Sequence, residues 1–435
     1  MVRKILKIFW LFTLAVIVLL ASALLLLQTT AVQTYLAEKV TEALSGEAID
    51  ARITFGKLHF KPFNTLVIRD LVVTDPYPAS LGEETASDTL FTSEYIAARF
   101  TLKGLTDKCL SINSAFVRNA RMNLVLEDGE HSTNLTRMFR IPERQRWNVP
   151  ADKEIFQIKD VEVDSIRFTM KNLTARRPHI KPGGIDWNNL DIRDIKVKGR
   201  HLKLRGKVMS GELDRLSFTE KSGYSVRSIS GRTSSGAGVA MIEDFRLIDN
   251  WSSIDIPYFC MLYDSAADFQ DFIHKVRLES VVRSSRASMK TIGYFAPGLA
   301  DKSSVFDVNG EVYGTVSALE VDGMDISTEG GEISGKISGT LTGLPDIRKM
   351  QTSIKMDSLS FSTSSIEEIM RKWTASGIPE IGEYASGTKL CLTGRLYGRA
   401  DDMRLDGEIG SDIGKIRTSL KIGGLVSKDG GISIS

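Results

Sequence analysis

The feature that most constrains this chain is a strict two-residue alternation of side-chain character in its C-terminal third. Within residues 332–343, every second position is isoleucine, leucine or glycine, and the positions between them are serine, threonine, lysine or glutamate. Successive side chains of a β-strand point to opposite faces, so the pattern predicts a strand with one apolar face and one solvated face. The same alternation recurs in residues 389–399 and around Leu420.

Earlier parts of the chain indicate the same fold class. Ile166, Phe168 and Met170 alternate with polar residues, and two short apolar runs, 66–68 and 71–73, read as separate hairpin strands. Aspartates such as Asp70, Asp75, Asp160 and Asp164 fall where strands are expected to end and turn. Glycine (36) greatly outnumbers proline (11), which suits many turns between short strands. The sequence therefore predicts a mainly β protein.

The N-terminus predicts a membrane anchor. From Ile5 to Leu27 the chain is almost wholly apolar, which is long enough to span a bilayer as a helix. Arg3, Lys4 and Lys7 precede this run, so the positive-inside rule keeps the N-terminus cytoplasmic and sends the rest across the membrane. A cleaved signal peptide is the alternative, although its apolar core is usually shorter. The residues taken as representative of the anchor are Ile5, Leu11, Val16, Leu20 and Leu27.

Helical periodicity divides the chain further. Residues 31–46 predict one amphipathic helix, and two more short helices are expected at Asp264–His274 and Ser365–Trp373. Residues 143–152, with Pro142 just before them and Pro150 among them, are the best candidate for a linker. We therefore expect a cytoplasmic tail and anchor in 1–30, the amphipathic helix in 31–46, a first β region in 47–142 and an extended β region in 153–435.

The sequence offers little for catalysis, metal binding or nucleic-acid binding. Lysine plus arginine (56) nearly balance aspartate plus glutamate (54), so no basic face for nucleic acid is indicated. The five histidines have no metal-ligand spacing, and Cys109, Cys260 and Cys391 form no CxxC pair. No GxSxG elbow, P-loop or dinucleotide fingerprint occurs. We expect no enzyme, no cofactor, no metal and no catalytic residue.

Three local motifs resemble the AsmA-like family of envelope proteins, in particular its translocation and assembly module (TamB) branch. Residues 53–60 and 66–73 are similar to the family's opening strand pair, and 88–91 with 96–105 are similar to the next. In residues 120–139, a strand, an acidic-glycine turn and the segment Asn134–Leu135 resemble the family's recurring turn motif. The resemblance covers about residues 1–140 and is architectural beyond that range.

The resemblance implies an inner-membrane protein of a Gram-negative bacterium, with its bulk in the periplasm. It implies an elongated, curved antiparallel β-groove, taco-like, with a few short helices after a transmembrane helix. Phospholipid is the implied cargo, carried toward the outer membrane, and an outer-membrane barrel protein is an implied partner. Family members are usually longer, so this chain is expected to be an N-terminal portion or a short member that needs a partner.

A groove of this kind needs a continuous apolar face rather than a catalytic site, which agrees with the alternating strands. Glycines on that face are expected to let the sheet curve and to leave room for an acyl chain. The alternatives are a closed scaffold with the same fold and an assembly factor that offers a sheet edge to client strands. The predicted lipid-binding residues are Ile333, Gly335, Ile337, Leu341, Leu390, Leu392, Leu396, Leu420 and Ile422.

Overall fold

In the computed structural model, the chain is rich in β-strands and its residues form two compact units. The N-terminal unit is Met1–Ala237 and the C-terminal unit is Gly238–Ser435. The structure describes residues 51–61, 64–76, 80–81, 84–85, 88–101, 110–126, 133–138, 153–173, 184–186, 188–206, 208–236, 238–265, 268, 271–295, 304–329, 331, 333–344, 349–362, 388–412, 414–423 and 432–434.

The described part of the N-terminal unit consists of strands and one short helix, α1 (Asn134–Met138). Most of its strands are ten or more residues long, as expected for segments rich in β-branched and aromatic side chains. The strands are β1 (Arg52–Thr54), β2 (Lys57–Lys61), β3 (Thr65–Thr74), β4 (Ser80–Leu81), β5 (Glu84–Thr85), β6 (Thr89–Phe100), β7 (Leu110–Leu126), β8 (Glu154–Asn172), β9 (Asn189–Arg205), β10 (Val208–Glu220) and β11 (Ser225–Gly236).

One curved sheet runs through this unit in nearly sequential order. Strands β1 and β2 pair with successive halves of β3, which pairs with β6, and the series continues β6–β7–β8–β9–β10–β11. The β7–β8 pair is parallel, whereas the other pairs in the series are antiparallel. The sheet is therefore antiparallel as predicted, with the exception of this one pair. Parallel neighbours need a crossover, and α1 lies in the connection between these two strands.

Helix α1 is held against β7 by the side chain of Asn134, which is almost fully buried. Its amide oxygen accepts hydrogen bonds from the backbone N–H groups of Val125 (3.1 Å) and Leu135 (2.9 Å). Its Nδ2 donates to the backbone oxygen of Asn123 at 3.1 Å. Strand β6 pairs with β7 only as far as Met122. The Asn134 side chain therefore forms hydrogen bonds with backbone groups of β7 that lie beyond the end of this pairing.

The long strands bend at a row of residues with left-handed backbone. Asp70, Asn119 and Ser165 lie inside β3, β7 and β8 with φ of 53°, 48° and 61°. The pairing register sets Asn119 opposite Ser165 and places Asp70 at the same level across β6. The pairing registers of β3–β6, β6–β7 and β7–β8 run through this level without a shift, so these residues interrupt the extended backbone without ending their strands. Residues 66–68 and 71–73 therefore belong to one strand, and the prediction of a turn at Asp70 is wrong.

The described part of the C-terminal unit consists of eleven strands and two short helices, α2 (Phe272–Lys275) and α3 (Met289–Phe295). Its strands are β12 (Val239–Asp249), β13 (Ser253–Leu262), β14 (Arg277–Ser288), β15 (Val305–Thr315), β16 (Ala318–Thr328), β17 (Ile333–Thr342), β18 (Gln351–Ser362), β19 (Lys389–Arg399), β20 (Asp402–Ser411), β21 (Gly414–Gly423) and β22 (Ile432–Ile434).

These strands form a single antiparallel meander in chain order from β12 to β22. The sheet is curved and, among the described strands, does not close on itself. Left-handed residues again fall inside strands, at Asp244 in β12, Ser284 in β14 and Gly323 in β16. A mainly β fold with a curved, unclosed sheet and few helices is therefore confirmed.

The helix predictions have mixed outcomes. Of the helix expected at Asp264–His274, the structure describes α2 at the C-terminal end, whereas residues 266–267 and 269–270 lie outside the described residues. At the start of this segment, the carboxylate of Asp268 accepts hydrogen bonds from the backbone N–H groups of Asp264 and Ser265 at 2.7 and 2.8 Å. Helix α3 was not predicted. The expected helices at 31–46 and Ser365–Trp373, and the linker at 143–152, lie outside the described residues.

Candidate functional site

The strand alternation of the C-terminal unit collects aliphatic side chains on one face of β17–β21. Directly paired residues point to the same side of a sheet, so Ile337, Met356 and Gly394 share a face, as do Ile354, Leu396 and Leu405. We call the contacting set the C-terminal apolar face. It consists of Ile333, Ile337, Ile354, Met356, Leu359, Phe361, Leu390, Leu392, Leu396, Leu405, Ile409 and Leu420.

The structure brings most of the sequence-predicted binding residues into this set. Six of them pack within it: Ile333, Ile337, Leu390, Leu392, Leu396 and Leu420. The other three reach the same face through the register. Gly335 pairs with Leu359, Leu341 lies two residues beyond Gly339, which pairs with Ile354, and the backbone of Ile422 lies two residues beyond Leu420. The side chain of Ile422 lies outside the described atoms.

Sequence reasoning missed the contribution of β18 to this face. Met356 and Phe361 are buried, and Ile354 and Leu359 pack against them. The signal was the alternation within Gln351–Ser362, which is interrupted between Met356 and Leu359 by a shift in the pairing register. Because a bulge of this kind moves the following side chains by one position, the strand shows no continuous two-residue pattern.

Burial within the C-terminal apolar face is uneven. Leu392 is only 5% exposed and is therefore surrounded by protein, although the groove interpretation expected it to be accessible. Ile337, Leu396 and Leu420 remain partly exposed. The hydroxyl oxygen of Thr352, which pairs with Leu341 and Gly398, is buried without a hydrogen-bond partner. The members of the face that remain partly exposed all have aliphatic side chains.

The glycines on this face do not leave open space. A Cβ atom on Gly394 would lie 2.4 Å from the backbone oxygen of Asp406, and one on Gly335 would lie 2.5 Å from that of Ser358. Neighbouring backbone already fills the volume that a side chain would take. The expectation that these glycines make room for a ligand is therefore wrong, whereas their role in close strand packing and curvature agrees with the geometry.

The opposite face of the same strands carries charged side chains that are exposed to solvent. Lys415 contacts Glu408 at 2.8 Å, Lys421 contacts Asp402 at 3.2 Å, and Lys355 contacts Asp357 at 2.7 Å. The hydrogen bond from Lys415 lowers the pKa of Glu408, and the same bond raises the pKa of Lys415. These exposed pairs contribute little stability, but they confine charge to one side of the sheet.

The most strongly perturbed titratable site described in the N-terminal unit is the buried carboxylate of Asp191, which two half-exposed arginines contact. Arg167 Nε lies 2.9 Å from Asp191 Oδ1, and Arg193 contacts the other carboxylate oxygen. Burial alone would raise the pKa of Asp191, but hydrogen bonds from Arg193 and Arg167 outweigh it and lower the pKa from 3.8 to about 2. The three residues join β8 to β9.

Replacing Asp191 with asparagine is expected to remove about 2 kcal/mol of stability at pH 7, because a folded-state pKa near 2 lies almost two units below the unfolded value. A depressed carboxyl pKa stabilises the fold above the unfolded pKa, and this contribution is lost as the pH falls from about 4 through about 2. Urea unfolding of wild type and Asp191→Asn should therefore converge toward pH 2. A difference in stability that does not change with pH would contradict this account.

The predicted anchor residues Ile5, Leu11, Val16, Leu20 and Leu27 lie outside the described residues. Within the described ranges, the structure contains no helix that is both long enough and apolar enough to cross a membrane. The anchor therefore remains a prediction from the sequence.

Polar chemistry is sparse across the part of the chain that the structure describes. There, no three His, Cys, Asp or Glu side chains come together in a way that could hold a metal ion. His201 contacts Glu212 and His274 contacts Asp271, and each is an exposed pair. Cys260 is buried and Cys391 is exposed, and both are free thiols. Comparisons with protein-family models, with curated proteins and with solved structures find no match to this chain.

Proposed function

We propose that this protein is an inner-membrane-anchored periplasmic protein that binds or conducts phospholipid between the inner and outer membranes. The observation that carries the proposal is the C-terminal apolar face, twelve side chains without a charge among them, of which eight remain partly exposed. The apolar N-terminal run and the resemblance to the AsmA-like family support the location and the cargo. An elongated, taco-like groove is the corresponding architecture.

Acyl chains match this surface chemically. Each buried CH₂ group gains about 0.8 kcal/mol on leaving water, and an aliphatic face supplies that gain without a hydrogen bond. A chain moving from the bilayer interior to such a face exchanges one apolar environment for another, so the step needs no catalytic group. The charged opposite face keeps the sheet solvated while the apolar face is occupied.

The incomplete burial of Ile337, Leu396 and Leu420 favours a groove over a closed scaffold. A β-sandwich core is packed to the density of an organic crystal, and its inward side chains are nearly inaccessible. Here the buried members of the face, such as Leu392 and Met356, lie beside members that retain exposed surface. Such a surface can take up a flexible apolar ligand.

A role in outer-membrane protein assembly is the second candidate. Among the described strands, β22 pairs only with residues 420–422 of β21, so the rest of that edge, 414–419, has no described strand beside it. A free edge can accept an extended segment of a client protein. Ile416 on this strand is 69% exposed, which would suit an added strand.

The test is photo-crosslinking in cells from Ile337, Leu396 and Leu420, with Lys336 and Arg395 as matched positions on the opposite face. We expect phospholipid adducts from the three apolar positions, because their side chains face the proposed path. Lys336 and Arg395 are each adjacent in sequence to an apolar position. They therefore control for differences in expression and in crosslinking at the same place in the strand. Mass spectrometry identifies each adduct.

Phospholipid adducts at equal yield on both faces would contradict a defined conduit. Protein adducts at the apolar positions, without lipid, would replace the proposal with the assembly role. Adducts of neither kind would favour the closed scaffold.

A further inference from the structure

In the N-terminal unit, the pairing register aligns one row of aliphatic side chains across seven strands from β3 to β11. Directly paired residues share a face, so the exposed fraction of each side chain in the row shows how well that face is covered at each strand. Each neighbouring pair in the row is a direct pairing. The row consists of Ile68, Ile96, Val117, Val163, Val197, Leu216 and Ile229.

The exposed fraction of the side chains in this row increases between β8 and β9. Ile68, Ile96, Val117 and Val163 are 7%, 5%, 5% and 9% exposed, so the face is closed from β3 to β8. Val197 on β9, Leu216 on β10 and Ile229 on β11 are only partly buried. The side chains are of similar size and chemistry on both sides of the change, so it reflects covering of the face rather than residue type.

The adjacent row shows the same transition. Leu66, Ala98 and Ala115 are each 3% exposed, whereas Val161, Gly199 and Leu213, which continue the row, are partly buried. The first row changes between β8 and β9 and the second between β7 and β8, so both rows pass from buried to partly exposed within β7–β9.

The partly exposed part of this face is apolar. Val197, Leu213 and Leu216 carry no polar atom, and the neighbouring cations Lys196 and Lys198 project from the other face, where they meet Asp164 and Glu162 at 3.4 Å. Strands β9 and β10 have a paired strand on both sides, so their backbone groups are already hydrogen-bonded. A protein segment laid on this face would gain no backbone hydrogen bonds, whereas an acyl chain needs none.

We infer that β9–β11 carry a second acyl-chain-binding segment, and that β3–β7 form a closed core that lipid does not enter. The inference rests on the proposed function, because it assumes that acyl chains are the ligand. It adds that the lipid path in this unit begins at β9. The first strands then support the path without being part of it.

The test places a photo-crosslinking side chain at Val197 and Leu216, at Ile96 and Val117, and at Lys198 as the exposed control beside Val197. Leu396 in the C-terminal unit reports whether the protein binds lipid at all. We expect phospholipid adducts at Val197, Leu216 and Leu396, with yields at least about tenfold lower at Ile96, Val117 and Lys198. The full-length protein is used in its membrane.

Because a bulky side chain can disturb a closed core, a smaller change gives a second measurement. In a variant whose native cysteines are replaced by alanine, Val117→Cys and Val197→Cys are treated with a lipophilic maleimide. We expect rapid labelling at Val197→Cys only. Equal lipid adducts or equal labelling on β7 and β9 would overturn the closed core. Adducts at Leu396 without any at Val197 and Leu216 would overturn the second segment, and loss of adducts at all positions would overturn the proposed function itself.

Discussion

Replacing Gly339 with alanine is expected to lower the free energy of unfolding of the C-terminal unit by about 3 kcal/mol. Gly339 lies within β17 and has a φ of 153°. Residues that carry a Cβ atom rarely adopt this backbone conformation. A Cβ atom there would lie 2.1 Å from the backbone oxygen of Ser353 and 2.8 Å from the Cα of Ile354 on β18. Backbone cannot rotate aside as a flexible side chain can, so the two strands must separate. Urea unfolding of the purified full-length protein measures the loss.

Gly410→Ala is the matched control for this change. Gly410 also lies inside a strand of the same sheet, but a Cβ atom there would meet its nearest neighbours at 3.9 Å, which is ordinary van der Waals contact. Its substitution is expected to change stability by less than about 0.5 kcal/mol. Equal losses for Gly339→Ala and Gly410→Ala would mean that close strand approach does not stabilise this sheet.

The alternation within residues 333–341 and 389–399 was enough to predict which side chains share a face. The prediction succeeded because a strand has a fixed period of two and because each pairing keeps partners on the same side. Ile337 and Leu396 were assigned to one face from the sequence, and the structure places them in the same contacting set. The anchor, the lipid cargo and the family remain predictions.

Other features of the fold could not be predicted from periodicity. Asp70 was expected to end a strand, since aspartate is common in turns, yet β3 continues through it with a left-handed backbone at φ 53°. Whether the chain turns or continues there depends on the strand that pairs alongside, here β6, and that partner is not encoded near Asp70. The parallel β7–β8 pair likewise depends on a long connection rather than on a local turn.

The glycines show a different limit. Alternation correctly set Gly335 on the apolar face, but it did not distinguish an open space from a close approach of two strands. That distinction depends on the backbone of β18, where Ser358 and Leu359 occupy the volume beside Gly335. Local sequence can therefore assign a face, whereas the depth of a groove on that face depends on how the neighbouring strands twist.

Replacing Ile337 with aspartate is expected to lower the amount of phospholipid that co-purifies with the protein by at least about tenfold. Ile337 belongs to the C-terminal apolar face, pairs with Met356 and retains partly exposed surface. A carboxylate placed against an acyl chain must lose hydration without gaining a partner, which costs several kcal/mol, and about 1.4 kcal/mol already corresponds to a tenfold loss of affinity. Lipid extraction and quantification from protein purified in mild detergent measures the effect.

Two variants separate the loss of binding from a loss of folding. Lys336→Asp introduces the same charge one residue away on the exposed face and is expected to retain phospholipid at the wild-type level. Ile337→Met keeps an apolar side chain of similar volume beside Met356 and is also expected to retain it. Circular dichroism should show the same strand content in all three proteins, because Ile337 lies at a partly exposed position. If Ile337→Asp folds and keeps its phospholipid, the aliphatic face is not the binding surface, and the edge of β21 at residues 414–419, which has no described strand beside it, becomes the better candidate for the function of this unit.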